Sequence, residues 1–598
     1  MARLTVAPAI VVLGAGALPV AERIRARYQG ATIHALAGRA EGDVAFSELG
    51  AHLRALYARG NPVVALCAAG IVIRCVAPCL ADKGVEPPVL AVAEDGSAVV
   101  PLLGGLTGVN LLAREIAETL GIAPAITTSG ELRFGACVLN PPEGYALADI
   151  RAGKRFVSDL LAGASTRVDG AAPWLEGVAL PVDAAGSHAI RVTPRRAGGA
   201  GSGELLIHPR SVVVALAEGF AHRAASLAAP AQAADHEAGG DPLARRILDA
   251  LAAADLSPLA LAALVAPRQC MREAALARAA RELGVPLRFV ASEADPADDA
   301  AALLDAALAA GSIDASPAIT LDDHGKPSKS LAIAIAEAPV DANRLGQARG
   351  SLTVLGLGPG RADLLAPAAR LALAEATDIL GYATYVRMAG PFRADQRVHE
   401  TDNREELQRA RHAFELAAQG HRVAMVSSGD PGVFAMAAAV LEALDGAGEP
   451  AWDEVALEVV PGVSAAFATA AEAGAPLGHD FCVISLSDNL KPWGVIEERL
   501  ALAARADLVM AFYNPISKAR PWQLDRALEI LREIRAADTV VVLGRDVGRP
   551  GASLRSLTLG ELRAADVDMR TMVIVGSSKT RRFASAEREW IYTPRFYD

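Results

Sequence analysis

Residues 352–360 read Leu-Thr-Val-Leu-Gly-Leu-Gly-Pro-Gly, and this stretch decides the fold of the C-terminal part of the chain. The apolar run Leu352–Leu355 has the length of a buried strand, and the glycines after it predict a tight turn. A dinucleotide-binding turn would need a third glycine where Arg361 stands, and a free backbone amide where Pro359 has none. The stretch therefore predicts a strand, a turn and a helix that do not hold a dinucleotide.

Four later stretches repeat the pattern of an apolar run that ends in a turn. They are Val423–Phe434 (VAMVSSGDPGVF), Leu457–Ala466 (LEVVPGVSAA), Leu508–Pro515 (LVMAFYNP) and Val540–Asp546 (VVVLGRD). Segments of helical spacing separate these runs. The alternation predicts an α/β fold, and the length of the whole chain predicts several domains.

Taken in order, the Gly-x-Gly-Pro-Gly, Gly-Asp-Pro, Pro-Gly-Val-Ser and Phe-Tyr-Asn-Pro motifs resemble those of the tetrapyrrole methylase family over residues 351–590. The resemblance implies two α/β domains around a cleft in which S-adenosylmethionine lies folded. The cofactor-binding residues that it implies are Pro359, Ser428, Gly429, Asp430, Val433, Phe434, Ser464, Ala465, Tyr513, Asn514, Gly544, Arg545 and Asp546. Glycines allow the backbone to approach a ligand closely, and apolar side chains can cover an adenine ring.

Methyl transfer from a sulfonium asks little of side chains, because the methyl group is already activated and alignment supplies most of the rate. Asp430 and Tyr513 are the catalytic candidates, since either could assist a proton shift. Aspartate also favours turns, so a simple turn-forming role for Asp430 stays open. Cys75 and Cys79 lack a second close pair, and no metal site is expected.

Three stretches point to one branch of that family. Ile379–Val386, Asp402–Glu405 and Gly544–Gly551 resemble precorrin-3B C17-methyltransferases. The resemblance implies methylation at C17 of a polycarboxylate macrocycle, coupled to contraction of its ring, in cobalamin biosynthesis. Three arginines of the same region, Arg545, Arg549 and Arg555, are expected to bind the substrate carboxylates, with a solvated basic loop as the alternative.

The first 140 residues resemble a different family. Cys67–Pro78, Asp82-Lys83, Pro101–Gly105 and Ile126–Thr128 are similar to the cobalamin-biosynthesis proteins that hydrolyse cobalt-precorrin-5A, with a weaker likeness at 243–338. The histidine that follows the Gly-Gly pair in that family is replaced by Leu106. Two interpretations stay open. This half is a degenerate module that binds the macrocycle, or the chain is a bifunctional cobalt-precorrin-5A hydrolase and cobalt-precorrin-3 C17-methyltransferase. The missing histidine favours the first, because loss of a polar group from a hydrolytic pocket removes catalysis more readily than binding.

The chain is expected to contain four parts. Residues 1–142 form an α/β domain, with strands at Ala9–Leu13 and Val63–Cys67 and a helix over Leu111–Leu120. Residues 143–235 form an irregular region, 243–338 a small alanine-rich domain and 351–598 the methylase. The stretches Arg195–Gly203 and Ala224–Pro242 are expected to be loops or linkers because they are rich in glycine, alanine or proline.

The bulk composition limits the partners. A net charge of −11 argues against a general nucleic-acid binder. Six cysteines are too few for a disulfide scaffold in 598 residues, and no apolar run is long enough to span a membrane. A cytoplasmic protein with a tetrapyrrole substrate is therefore expected, and the family resemblance implies a homodimer through the methylase module.

Overall fold

The computed structural model describes residues 7–28, 30–80, 86–196, 203–220, 241–291, 299–321, 328–390, 392–393, 395–402, 406–585 and 588–596. The chain divides into two units, Met1–Arg349 with Pro391–Asp395, and Gly350–Gly390 with Gln396–Asp598. The division after Arg349 lies beside residue 351, where the sequence places the start of the methylase. Asp82-Lys83 and Asn403–Glu405, which contributed to the resemblances, lie outside the described residues.

The first sheet of the N-terminal unit has six strands, in the order β3-β2-β1-β4-β5-β6. They are β1 (Ala9–Val12), β2 (Thr32–Leu36), β3 (Val44–Phe46), β4 (Val63–Leu66), β5 (Val89–Val92) and β6 (Val99–Leu103). All neighbours are parallel except β5 and β6. The helices are α1 (Leu18–Arg27), α2 (Leu49–Ala58), α3 (Ala69–Val76), α4 (Val109–Leu120) and α5 (Ser129–Phe134). The two predicted strands form β1 and β4, which are fully buried, and the predicted helix forms α4, which ends before Gly121 at φ 75°.

The expectation of an irregular region at 143–235 is wrong. This segment contains helix α6 (Ile150–Leu161) and a four-stranded sheet in the order β7-β10-β9-β8. Its strands are β7 (Tyr145–Leu147), β8 (Thr166–Asp169), β9 (His188–Val192) and β10 (Glu204–Pro209). Phe156 of the helix packs with Ile190 and Ile207 of the strands in a small core. The strands are short and glycine-containing loops separate them, so their apolar residues show little periodicity along the sequence.

A third sheet, in the order β13-β12-β11-β15-β14, completes the N-terminal unit. Its strands are β11 (Val212–Leu216), β12 (Leu261–Pro267), β13 (Leu287–Val290), β14 (Ile319–Leu321) and β15 (Leu331–Ile335), with helices α7 (Pro242–Ala253), α8 (Ala274–Leu283) and α9 (Ala300–Gly311). The central strand β11 is buried throughout and pairs with β12 and β15. The alanine-rich domain therefore begins before residue 243. A stretch outside the described residues, 221–240, separates β11 from its partners in sequence.

The first domain of the C-terminal unit is a five-stranded parallel sheet in the order β18-β17-β19-β16-β20. The strands are β16 (Ser351–Gly356), β17 (Asp378–Tyr382), β18 (Arg397–Thr401), β19 (Arg422–Ser427) and β20 (Ala456–Val460). The helices are α10 (Pro367–Glu375), α11 (Ala383–Ala389), α12 (Glu406–Ala418), α13 (Met436–Asp445) and α14 (Pro450–Asp453). The first strand of the domain, β16, lies in its interior between β19 and β20. Such a crossover point is where open α/β sheets bind ligands, outside the carboxyl ends of the strands.

The second domain has a mixed sheet in the order β22-β23-β26-β24-β25. The strands are β22 (Phe481–Ser485), β23 (Val509–Tyr513), β24 (Val540–Arg545), β25 (Ser553–Thr558) and β26 (Thr571–Val575). A small sheet of β21 (Gly474–Ala475), β27 (Arg581–Ser585) and β28 (Arg588–Tyr592) accompanies helices α15 (Ala465–Ala473), α16 (Trp493–Arg505) and α17 (Gln523–Ile534). Because β23 and β24 both run antiparallel to β26, their carboxyl ends lie at the same edge of the sheet. Within the described residues, no helix has the length and apolar character of a membrane span.

Candidate cofactor and substrate site

Three glycine turns pack against one another at the carboxyl ends of β16, β19 and β20. A Cβ atom at Gly356 would lie 2.3 Å from the carbonyl oxygen of Gly429, and one at Gly462 would lie 2.2 Å from the same oxygen. Gly358 and Gly429 exchange backbone hydrogen bonds of 3.1 and 2.8 Å. Larger residues cannot be accommodated at Gly356 or Gly462 without moving these turns, so the glycines quoted from the sequence fix how the three turns meet.

The Asp430 side chain holds two of these turns together. Its Oδ1 accepts a hydrogen bond from the amide of Gly432 at 2.8 Å, and its Oδ2 accepts one from the amide of Gly462 at 3.0 Å. This is the turn-forming role that the sequence left open. It makes Asp430 a positioning residue, and a part in proton transfer stays a prediction.

Tyr513 and Asn514, at the end of β23, meet the first turn of α15. The Tyr513 hydroxyl oxygen accepts a hydrogen bond from the amide of Ala466 at 3.2 Å, and Ser464 Oγ accepts one from the amide of Phe467 at 3.5 Å. These contacts satisfy two of the amides that a helix N-terminus leaves free. Asn514 has φ 52° and donates from Nδ2 to Ser485 Oγ at 3.1 Å. Within the described part of the chain, the Tyr513 hydroxyl donates no hydrogen bond of its own, so its proton could be given to a ligand.

The turn after β24 makes its closest contacts with protein groups. A Cβ at Gly544 would lie 2.4 Å from Cγ2 of Thr469 on α15, so this glycine allows β24 to approach the helix. Asp546 is buried with φ 51°, and its carboxylate binds both the Nε and the Nη2 groups of Arg570. The two residues were predicted to line the cofactor site, and the geometry gives both of them structural partners.

The three arginines expected to bind substrate do not form one cluster. Arg545 Nε donates to Asp568 at 2.9 Å, and Arg555 pairs with Asp566 at 3.3 Å on the exposed face of β25. Arg549 donates from Nε to the carbonyl of Pro359 at 3.0 Å and from Nη2 to Ser428 Oγ at 3.0 Å. Arg549 therefore joins the second domain to two predicted cofactor turns. A Cβ at Gly548 would meet the ring of Pro359 at 2.8 Å, which shows how closely these turns approach.

Phe434 lies at the edge of this site. It is 50% exposed, has φ 52°, and its ring centroid lies 5.3 Å from that of Tyr513. Val433, the residue before it, is half-buried. An aromatic ring from the first domain and one from the second thus meet beside the Asp430 turn.

The turns have features that fit S-adenosylmethionine. Gly429 has φ 71°, and a Cβ there would have only the backbone of Ser464 and Ala465 nearby, at 3.6 and 3.9 Å. The hydroxyls of Ser427 and Thr469 are buried and have no hydrogen-bond partner among the described residues. Ser427 lies two residues before the open Gly429 turn, where a polar ligand would satisfy its orphaned hydroxyl. The sequence did not single out Ser427 or Thr469, because each is covered by residues distant along the chain, Gly356 beside Ser427 and Gly544 beside Thr469.

A separate small cavity of about 40 Å³ lies in the N-terminal unit, between the Gly105–Gly108 loop, α4 and α5. Its wall includes Glu131, which is 4% exposed. The Glu131 carboxylate accepts hydrogen bonds from Asn110 Nδ2 and from Arg114 Nη1, both at 2.7 Å. Asn110 Nδ2 also donates to Thr128 Oγ1 at 3.0 Å. Thr128, from one of the stretches that carry the hydrolase resemblance, therefore joins residues of α4 and α5 in one polar network.

Two protein families match the chain. Residues 351–563 match the Tetrapyrrole (Corrin/Porphyrin) Methylases, and residues 51–131 match the family described as Cobalamin synthesis G N-terminal. The two matches agree with both resemblances seen in the motifs.

Two curated relatives and one solved structure resemble the C-terminal part. The precorrin-3B C(17)-methyltransferase of Sinorhizobium sp. is 53% identical over 249 residues, which are 42% of this chain and 97% of the relative. The cobalamin biosynthesis protein CobIJ of Mycobacterium tuberculosis is 45% identical over 285 residues, 47% of this chain and about half (54%) of that protein. The crystal structure of the methyltransferase CobJ is 52% identical and covers 41% of this chain and 100% of its own, with a TM-score of 0.39.

Proposed function

This chain belongs to the tetrapyrrole methylase family and is an S-adenosylmethionine-dependent methyltransferase, and we propose that its reaction is methylation of precorrin-3B at C17 with ring contraction. The observation that carries the proposal is the meeting of the Gly356, Gly429 and Gly462 turns beneath Tyr513 and Arg549 of the second domain. The meeting of these turns supports one shared cofactor site for the Gly-x-Gly-Pro-Gly, Gly-Asp-Pro, Pro-Gly-Val-Ser and Phe-Tyr-Asn-Pro motifs.

The cofactor, when bound, supplies an activated methyl group. The residues of this chain bind and orient it: Gly429 leaves room for it, Asp430 fixes the turn, and Arg549 closes the second domain onto the first. Tyr513 is the best-placed proton donor, because its oxygen already accepts from Ala466 and its own proton is free. Alignment of the macrocycle carbon with the methyl group accounts for most of the rate.

The proposal is tested by incubating the purified chain with precorrin-3B and methyl-labelled S-adenosylmethionine, and parallel reactions contain cobalt-precorrin-3. Labelled product from precorrin-3B alone supports the metal-free substrate. Product from the cobalt compound alone would support the alternative, a bifunctional enzyme of the cobalt-containing route.

For the N-terminal unit we propose a macrocycle-binding module. Its cavity keeps an Asn110–Glu131–Arg114 network, but the position of the family histidine is taken by Leu106, a 38% exposed apolar side chain. Both oxygens of Glu131 already accept hydrogen bonds, which favours a structural anchor over a general base. Glu131→Gln should therefore weaken macrocycle binding to residues 1–345. Release of acetaldehyde from a lactone-bearing corrinoid by that fragment would favour the hydrolase.

We also propose a homodimer through the methylase unit. The edge strands β20 and β22 carry exposed apolar side chains, Val459, Phe481 and Val483, and the exposed Phe467 ring packs edge-on against Phe481 with centroids 5.9 Å apart. Apolar side chains at unpaired strand edges favour contact with another chain. Light scattering should give a dimer that Phe481→Lys converts to monomers, and a monomeric wild type would contradict the proposal.

A further inference from the structure

Lys491 lies at the rim of the methylase site, in the loop that joins β22 to α16. Its Nζ lies 5.9 Å from the centroid of the Phe434 ring, and that ring contacts Tyr513. A cation from the second domain therefore lies beside an aromatic ring from the first. The next residue towards β22, Leu490, is 92% exposed, so the loop projects from the surface at this point.

Phe434 is held in a conformation that phenylalanine rarely adopts. Its φ of 52° lies in the left-handed region, and its ring is half exposed although the chain has ample core in which to bury an aromatic side chain. Such strain persists where the surrounding structure enforces it, and it is concentrated at binding sites. The backbone just before Phe434 is fixed by the Asp430 turn, in which the amide of Gly432 donates a hydrogen bond to the Asp430 carboxylate.

Lys491 is half-buried, yet it makes no ion pair with a carboxylate among the described residues. Other cations of the second domain differ in this respect: Arg545, Arg555 and Arg570 are all paired with aspartates. Burial and the nearby Arg499 lower the pKa of Lys491 from its ordinary value, so its environment favours the arrival of an anion. Gln523, which donates to Asp488 at 3.1 Å, anchors the loop that carries it.

Resting on the proposed function, we propose that Lys491 and Phe434 form the substrate-recognition rim, in which the ring lies against the macrocycle and the ammonium binds one of its carboxylates. A flat aromatic face suits a conjugated macrocycle, and an ammonium without an acid partner suits a carboxylate. Phe434 is half exposed and Lys491 is partly exposed, so both lie at the open edge of the site, whereas Gly429 and Arg549 lie at the cofactor turns. The proposal therefore gives the macrocycle to Phe434, for which the family resemblance implied a cofactor contact. Lys491 and Phe434 should therefore govern affinity for the macrocycle more than affinity for S-adenosylmethionine.

The test compares Lys491→Met, Lys491→Arg and Phe434→Leu in the full chain, with Arg411→Ala as the control. Arg411 is an exposed cation on α12 and takes no part in any contact of the site. KM for precorrin-3B is measured at two ionic strengths, equilibrium binding of precorrin-3B is followed by absorption without cofactor, and S-adenosylmethionine affinity is measured by calorimetry.

Lys491→Met should raise KM and the dissociation constant for precorrin-3B about tenfold, with kcat and cofactor affinity changed less than about twofold, since a charged hydrogen bond is worth that much. Lys491→Arg should recover most of the lost affinity for precorrin-3B, and Phe434→Leu should raise KM without changing the salt dependence of KM.

The KM of the wild type should rise with salt concentration, and the KM of Lys491→Met should rise less. Unchanged precorrin-3B binding in Lys491→Met, or an equal loss of cofactor affinity, would overturn the inference. If the wild type binds precorrin-3B but does not methylate it, only the proposed reaction is overturned. The comparison of precorrin-3B binding between the wild type and the variants would still test whether Lys491 and Phe434 recognise the macrocycle.

Discussion

The guanidinium of Arg549 donates a hydrogen bond of 3.0 Å to the hydroxyl of Ser428, which ties the turn after β24 in the second domain to the first domain. The same side chain holds the carbonyl of Pro359 at 3.0 Å. Two of the predicted cofactor turns are therefore held by a residue that the sequence had assigned to the substrate. Arg549 therefore adds a link from the second domain to turns that Asp430 already holds together within the first.

Arg549→Ala should weaken binding of S-adenosylmethionine about tenfold as well as lowering turnover. The variant loses one hydrogen bond to each of two cofactor turns, each worth about 1 kcal/mol or more. Calorimetry checks this, with Arg555→Ala as the control because Arg555 pairs only with Asp566 on an exposed strand. If Arg549→Ala keeps full affinity for S-adenosylmethionine but has a raised KM for the macrocycle, Arg549 binds the substrate and does not support the cofactor turns.

Gly429→Val should abolish methylation while the fold is retained. Gly429 has φ 71°, where a β-branched side chain is strained, and the new side chain would occupy the space beside Ser464. Gly494→Val serves as the control, because a Cβ at Gly494 has no neighbour within 4 Å. Circular dichroism should match the wild type in both variants. Near-normal turnover in Gly429→Val would place the cofactor elsewhere.

Asp430→Asn separates positioning from proton transfer. An amide oxygen can still accept from one backbone amide, but the second hydrogen bond and the charge are lost. If Asp430 only positions the turns, kcat falls while the pH dependence of kcat keeps its shape. Loss of the acidic limb of that profile in the variant would show that the carboxylate moves a proton.

Asp378 should stabilise the methylase unit in a pH-dependent way. It is fully buried at the start of β17, where burial by itself raises the pKa of its carboxyl, but hydrogen bonds from His399, Thr377 and Arg397 outweigh burial and lower that pKa below the ordinary 3.8. A carboxyl group whose folded pKa is depressed contributes stability above its unfolded pKa and loses it as pH falls through the folded value.

The variant Asp378→Asn should therefore lose about 3 kcal/mol or more at pH 7, and less below about pH 4, where the wild-type carboxylate is being protonated. Hydrogen exchange of the β17 amides measures this locally. Asp363→Asn is the control, because Asp363 pairs with Arg361 on the exposed surface. A difference between Asp378→Asn and wild type that does not shrink at low pH would contradict the assignment.

Much of the methylase fold could be predicted from sequence because the glycine turns directly follow apolar strands, as in Leu352–Gly360. In that stretch, residues that are close in sequence form both the strand and the turn that follows it. The same holds for β1, β4 and α4 in the N-terminal unit.

The partners of the arginines could not be predicted in this way. Arg549 contacts Pro359, which lies 190 residues earlier, and Arg545 and Arg555 pair with aspartates from a later turn. The sequence shows that several arginines lie close together along the chain. It does not show which of them form ion pairs with aspartates once the chain is folded. The sheet formed by β7–β10 was missed for a related reason, because short strands that pair with distant segments leave little periodicity of their own.

The most direct test of the account is the position of the transferred methyl group. The full chain is incubated with precorrin-3B and S-adenosylmethionine labelled with ¹³C at the methyl carbon, and the product is analysed by mass spectrometry and NMR. The account predicts one labelled methyl group per macrocycle, at C17, and a ring-contracted product. Transfer to another carbon, or no transfer while both ligands bind, would contradict it.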